Sequence, residues 1–492
     1  MKFLLNLIFI SMVGIFCQES DFSYISKRFE YPNENKWAKR WLPRAQAVED
    51  LKEFQQYLES KFSYLLLREV NYQKALEVIS SNIGEGIEVG NLALQINKIL
   101  ALFPDGHAAI RGARKVFPNK LFTPFLFGEH NRRIFIFMEN RESFFHQKFL
   151  YIKEMDGIKI EKWLEVSKQS VVKGSPQLMR KRAMKNLRYI GILRKELGVK
   201  NTNELELVLE SRQAETFKTK VKLSSKKAYY GKWPRTKTKL IGNIGYLRIP
   251  SMSDEIEDIE KIYTAMDQFR TTRGLIIDVR GNSGGSRDIL KVLFAYFMSP
   301  GEKPQIVNVA KYRKSPHEIE DGYLQSRFLY PENSAIWSKE EREVIAQFKT
   351  SFIPEWNPPV QDFSQWHYFI LKHSGNKSVY YYSQPIVVLI NSNCFSATDI
   401  FLGALKRRKN IKIIGTPSSG GSGRSKTFRL ENSGIGFKIS RMASFQANGK
   451  LYDCNGIFPD ILVYSQPEFE LGTSDVVLEK ALEKLKTNTK TK

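Results

Sequence analysis

Two short runs, "GLIIDVR" at 274–280 and "PIVVLI" at 385–390, are almost unbroken in apolar, β-branched residues. A strand can be apolar on both faces only if both faces are covered, which is the situation of a parallel sheet between helices. Each run is followed by a helical pattern. "GGSRDILKVLFAYFM" opens after glycines, and in "NSNCFSATDIFLGAL" Ile400, Phe401, Ala404 and Leu405 fall on one helix face. With "IGYLRIP" and "EIEDIEKIYTAMDQF" upstream, the alternation predicts a mostly parallel α/β layer. Ser396 stands at one strand-to-helix joint. It is either an N-cap, accepting the orphan N–H groups of the first turn, or a nucleophile displayed beside N–H groups that would hold an oxyanion.

Around this layer the pattern changes. Residues 46–102 carry helical spacing in "AVEDLKEFQQYLESKFSYLLL" and "VGNLALQINKILALF". From about 118, short apolar runs with Gly and Asn turns predict a small β-rich module, with a basic helix at 178–197 and a strand at "ELELVLE". Residues 300–383 read as a long polar and aromatic insertion, and "SDVVLEKALEKLK" as a closing amphipathic helix. The resulting division is 1–17 leader, 18–112 helical region, 113–238 β-rich module, 239–465 α/β domain and 466–492 helix and tail.

The 492 residues include 76 Lys+Arg against 52 Asp+Glu, a formal net charge of +24. The cations are scattered among apolar positions, as in "MRKRAMKNLRYIGILRKELGVK", with no zinc finger, aromatic RNA-binding signature or basic arm, so a solvated basic surface is expected in place of a nucleic-acid site. "MKFLLNLIFISMVGIFC" has the layout of an export signal and is too short for a membrane span. Export to a periplasmic or external compartment is expected, with membrane attachment only if Cys17 is lipidated; "VGIFC" is a poor match for that. No His, Cys or acidic spacing matches a metal site, and no cofactor is expected.

"LIIDVRGNSGG" alone is a glycine turn without the Lys-Ser/Thr of a phosphate loop. In the order "LIIDVRGNSGG", "VVLINSNCFSATDIF", "KIIGTPSSGGSG", "GIFPDI", however, 239–465 resembles the catalytic domain of the C-terminal processing and tricorn-like serine peptidases. The resemblance reaches back to "LALFPDGHAAI". It implies a crotonase-like, ClpP-like α/β fold, an N-terminal helical domain and a PDZ-like module at "DGIKI", acting on a peptide or protein substrate; it leaves the oligomeric state open. One branch of the family uses a Ser–Lys dyad, but Gly421 stands where that lysine belongs, and Lys426 lies five residues further on. The other branch uses a histidine, here His107, helped by an acid, here Asp453, three residues before Gly456. The resemblance therefore implies Ser396 as nucleophile, His107 as base with a pKa near the unperturbed value of about 6.5, Asp453 as its helper, and an oxyanion hole from the N–H groups of Gly285 and Ala397.

By itself His107 is equally a turn histidine. Asp278, Arg280 and Asp399 are read as structural. Cys394 and Cys454 flank the two ends of the implied site, so in an oxidising compartment a disulfide between them is expected. A non-catalytic binding protein on the same fold and an acyl-CoA-type crotonase are the competing readings. The four site positions Ser396, His107, Gly285 and Asp453 argue against the first, and the Asp-Gly-His segment against the second.

Overall fold

Six strands form the central sheet, in a spatial order that follows the chain: β1 (Lys239–Ile241), β2 (Ile244–Arg248), β3 (Leu275–Asp278), β4 (Ile386–Ile390), β5 (Ile411–Gly415) and β6 (Ile461–Leu462). β1 and β2 are antiparallel; every later pair is parallel. The apolar runs divide with a period of two. Leu275, Ile277, Ile386, Val388, Ile390 and Ile413 pack with helices Ile256–Gln268, Asp288–Phe297 and Ala397–Leu405. Ile276, Val387, Leu389 and Ile414 turn the other way, onto Val477, Ala481 and Leu485 of the closing helix Val476–Thr487. Both faces are covered, which is why β4, and β3 up to its terminal Asp278, carry no polar positions. This computed structural model describes residues 40–111, 121–315, 322–373 and 379–487; the leader at 1–17, including Cys17, lies outside them.

The stretch at 300–383, expected as an insertion, builds a second sheet. Strands Gln305–Tyr312, Tyr330–Pro331 and His367–Leu371 join Met442–Gln446 in a four-stranded antiparallel sheet. A helix over Lys339–Ser351 covers it, opened by a capping box between Ser338 and Glu341.

Helices Arg44–Lys61, Tyr72–Ser81 and Val89–Leu100 share one core with Leu430, Phe437, Ile439 and Phe445 of the α/β domain. The chain leaves them through "PDGH" and adds a two-residue strand, Ala109–Ile110, to the hairpin Ser425–Arg429/Gly436–Ser440, with Ile110 opposite Phe437 and Ala109 opposite Lys438. This short pairing carries the segment around His107 to the mouth of the central sheet.

The β-rich module is an antiparallel sheet of Leu126–His130, Arg133–Phe137, Tyr151–Met155, Glu204–Glu210 and Thr216–Lys222, with helices Ile160–Lys168, Pro176–Asn186 and Ile190–Glu196 and its own core around Trp163. Its basic helices do not form the solvated face expected of them. Arg194 is buried and pairs with Asp156, and Arg188 donates to Ala228 O. Arg182 donates to Gly106 O at 2.6 Å, Lys181 to Ser419 Oγ at 2.5 Å and Lys185 to Asn393 Oδ1 at 2.8 Å. The cations of this helix clamp two loops of the α/β domain and the Asp-Gly-His turn, and burial lowers the pKa of Lys181 well below the ordinary lysine value and that of Lys185 to about 8.

Candidate active site

Ser396 occupies the N-cap position of helix Ala397–Leu405, yet its side chain makes no capping hydrogen bond. Its backbone sits at φ 61°, ψ −121°, a conformation that a residue with a Cβ enters only when its surroundings enforce it. Three contacts around it supply that enforcement. Phe395 N donates to Asn282 O, Thr398 Oγ1 donates to Asn282 Oδ1 at 2.8 Å, and Gly284 N donates to the same Oδ1 at 2.9 Å. Asn282, buried in the turn after β3, thus locks the glycine turn to the joint that carries Ser396.

The Ser396 hydroxyl points at His107. Ser396 Oγ and His107 Nε2 are 3.2 Å apart, although the residues are 289 positions apart in sequence. The imidazole lies against the Phe395 ring with centroids 4.6 Å apart, and its backbone N–H donates to Asp105 Oδ1 at 2.8 Å. For Nε2 to accept the serine proton, Nδ1 must carry the hydrogen. Nδ1 has no hydrogen-bond partner among the described residues; Asp105 Oδ1 is 4.0 Å away. Burial, and after it the positive charges of Lys438, Arg182 and Arg327, push the His107 pKa well below 6.5. The unperturbed value expected from sequence is thereby corrected: each of these cations comes from a distant segment.

Asp453 is also placed differently from expectation. Its carboxylate accepts from Tyr64 OH at 2.8 Å, Ser422 N at 2.9 Å and Gly106 N at 3.1 Å, and it makes no hydrogen bond to His107. It ties the Asp-Gly-His turn to the loop after β5. The sequence reading missed Asp105, the carboxylate nearer to Nδ1, which also accepts from Ser440 N and Ser440 Oγ. Its signal was present, since an Asp two residues before a turn residue commonly accepts from that residue's backbone. Asp105, His107 and Asp453 bring ligand-type atoms within 4.8 Å of one another. All four carboxylate oxygens there already accept N–H or O–H donors, which is the environment of a held anion and not of a cation site. Burial and the mutual repulsion of the pair raise Asp453 to about 6.

Gly284 and Gly285 run beside the joint. A Cβ on Gly284 would lie 2.7 Å from Phe395 O and 3.0 Å from Ala397 N, and one on Gly285, at φ +145°, would lie 2.0 Å from Met252 O. The N–H groups of Gly285 and Ala397 have no acceptor among the described residues. Both residues line one cavity of about 360 Å³ with Ser396 and His107.

Gly421 excludes the lysine of a Ser–Lys dyad on steric grounds. It lies at φ +157°, and a Cβ would come 2.4 Å from the Phe395 ring. Lys426 is exposed on strand Ser425–Arg429, outside the lining of the cavity. Gly421→Ala should push Phe395 off the imidazole face and lower kcat at least about tenfold, an effect of roughly 1.4 kcal/mol; an unchanged kcat would show that this ring does not position His107.

Arg280 pairs with Asp278 and, through two bonds of 2.7 and 2.8 Å, with Asp475. Asp399 is fully buried, accepts from Ser418 Oγ and Gly420 N, and is pushed up to about 8 by burial. These groups brace the loops without facing the cavity. The expected disulfide is absent. Cys394 Sγ donates to Val279 O at 3.1 Å and Cys454 Sγ faces Pro104 O at 4.0 Å, so the two thiols point at different segments. Alkylation of the native, unreduced protein after unfolding should therefore modify both; two unmodified cysteines would restore the bridge.

Residues 243–463 match Peptidase family S41. In overall structure the chain is similar to mature CPAF complexed with lactacystin, at 17% identity and TM-score 0.61 over 90% of this chain and 99% of that one. It is likewise similar to a CPAF mutant, at 16% identity and TM-score 0.64 over 89% and 96%. At this identity the likeness concerns the fold.

Proposed function

We propose that the chain, whose residues 243–463 match Peptidase family S41, is a serine-type peptidase that hydrolyses peptide bonds by a Ser396–His107 acyl-enzyme mechanism. The observation that carries this reading is the 3.2 Å approach of Ser396 Oγ to His107 Nε2. His107 Nε2 takes the hydroxyl proton as Oγ bonds to the substrate carbonyl carbon. The carbonyl oxygen, now negative, lies against the free N–H groups of Gly285 and Ala397. His107 returns the proton to the amide nitrogen as the C–N bond breaks and the amine leaves. Water then adds to the acyl carbon, giving its proton to His107, and His107 passes that proton to Ser396 Oγ as the Oγ–acyl bond breaks to release the acid.

Asp105 and Asp453 act as positioning residues, Asp105 through the His107 backbone and Asp453 through Gly106 and Ser422. The parallel sheet running in chain order supports the crotonase-like reading of the domain. The sheet-and-helix module at 121–222 supports the PDZ-like reading of the expected 113–238 region. The leader at 1–17 supports export.

A fluorophosphonate probe tests the mechanism. It should attach to one serine, identified as Ser396 by peptide mass spectrometry, with labelling that parallels loss of hydrolysis. Stoichiometric labelling elsewhere, with Ser396 unmodified and activity lost, would overturn the assignment.

A further inference from the structure

The cavity beside Ser396 is lined by four cationic side chains, Arg287, Arg327, Arg424 and Lys438, and by no carboxylate among the described residues. None of the four forms an ion pair with a described residue. Arg287 donates to Arg327 O at 2.8 Å and reaches Ser422 Oγ at 3.5 Å. Arg327 donates to Gly285 O at 2.8 Å. Arg424 donates to Ser326 Oγ at 2.8 Å, lies over the Tyr323 ring and keeps its buried Nε unpartnered. Carbonyls and hydroxyls thus satisfy some N–H groups while the charges stay uncompensated within the cavity. Asp254 and Asp288 attract Arg327 from outside the lining. Burial first, then the charges of Arg327 and Arg424, hold Arg287 down at about 9; burial, Arg111, Arg182 and Arg327 lower Lys438 against the attraction of Asp105.

These charges converge on the reacting centre, since the Gly285 carbonyl that Arg327 holds belongs to the same residue as the free N–H of the oxyanion site. Structural cations elsewhere in this chain, such as Arg280 and Arg194, have carboxylate partners. In a partly desolvated cleft an anion gains far more from such charges than it does in bulk water. We propose that this cavity receives a carboxylate of the substrate beside the scissile bond, so that the enzyme selects peptides that are anionic at the cleavage point. The inference rests on the peptidase reading and names its substrate class. The carboxylate proposed is that of an Asp or Glu side chain; the α-carboxylate of a chain end presents the same group to the same cations, and the acid/amide comparison separates the two.

The test begins with a peptide that the enzyme cleaves, found by mass spectrometry of a digested denatured protein. It is resynthesised with Glu or Gln on either side of the scissile bond, and each version is made with a free or an amidated C-terminus just beyond the cleaved bond. Wild type should show at least a tenfold higher kcat/KM for an anionic version over its neutral isostere, a ratio that shrinks as salt rises. Preference in the Glu/Gln pair assigns a side chain, and preference in the acid/amide pair assigns a chain end. Arg424→Gln should reduce the ratio at least threefold, and Arg424→Glu should bring it to one or below. Equal kcat/KM across both pairs, with hydrolysis still abolished by Ser396→Ala, would overturn the anion site and leave the peptidase reading standing. If no peptide is hydrolysed, the peptidase reading fails. Fluorescein-labelled Ala-Glu-Glu-Ala and Ala-Gln-Gln-Ala, titrated against wild type by anisotropy, then decide the site: salt-sensitive preference for the acidic peptide, weakened by Arg424→Gln, supports it, and equal binding overturns it.

Discussion

Ser396→Ala is expected to lower kcat for peptide hydrolysis by about 10⁴–10⁶, to abolish fluorophosphonate labelling and to leave the thermal midpoint nearly unchanged. The first two effects follow because, among the described residues, no other hydroxyl is presented at 3.2 Å from an imidazole with two free N–H donors alongside. The third follows from what the hydroxyl does not do. It caps no helix N–H, so its loss removes a single hydrogen bond to His107, worth about 1 kcal/mol or less. The positive φ at this position is imposed by the Asn282 contacts, and alanine carries the same Cβ as serine, so the strain is unchanged. A serine serving as an N-cap would behave in the opposite way, with a loss of about 0.5–2 kcal/mol in stability and little in rate. Undiminished hydrolysis by the purified variant would sink the nucleophile assignment.

The parts of this site that were legible in the sequence are those written into short contiguous segments. β3 and β4 announce themselves because a doubly covered strand has no polar face, and Ser396 and Gly285 stand at the strand ends where turns must approach one another. Parts assembled from distant segments were not legible. The strand that delivers His107 is two residues long, too short for any periodicity, and pairs with residues more than 300 positions away. The basic helix Pro176–Asn186 reads as solvent-facing because its cations bind a backbone carbonyl of the Asp-Gly-His turn and small polar side chains of the α/β domain, partners that leave no charge pattern. The stretch at 300–383 hides its strands because each pairs with a strand far along the chain, so no hairpin turn marks them. Asp105 was overlooked beside the more distant Asp453 because the family pattern drew attention to the latter.

His107 gives the second large effect. In the proposed mechanism its active form is the neutral imidazole, so kcat/KM rises with pH as the ring loses its proton. Burial and the cations Lys438, Arg182 and Arg327 destabilise the imidazolium, while carboxylate oxygens of Asp105 and Asp453 lie within 4.8 Å of a ring nitrogen. Because the first influences win, the rising limb should lie below pH 6.5, and activity should be flat through neutrality. A limb at or above 6.5 would contradict the lowered pKa. His107→Gln should remove about 10²–10⁴ of the rate together with that limb. Asp453, raised to about 6, titrates nearby, so the limb measured in wild type belongs to the cluster and not to one ring. Two variants separate the contributions. Lys438→Gln removes one repulsive charge and should move the limb toward higher pH, since the imidazolium becomes easier to form. Asp453→Asn removes an attractive charge and should move it lower, while loosening the Gly106 and Ser422 contacts and so reducing kcat as well. Opposite displacements by these two substitutions would place the titrating group within this cluster, and loss of the limb in His107→Gln would assign it to the ring; the same limb persisting in His107→Gln would assign it to the carboxylates and leave Ser396 in need of another base.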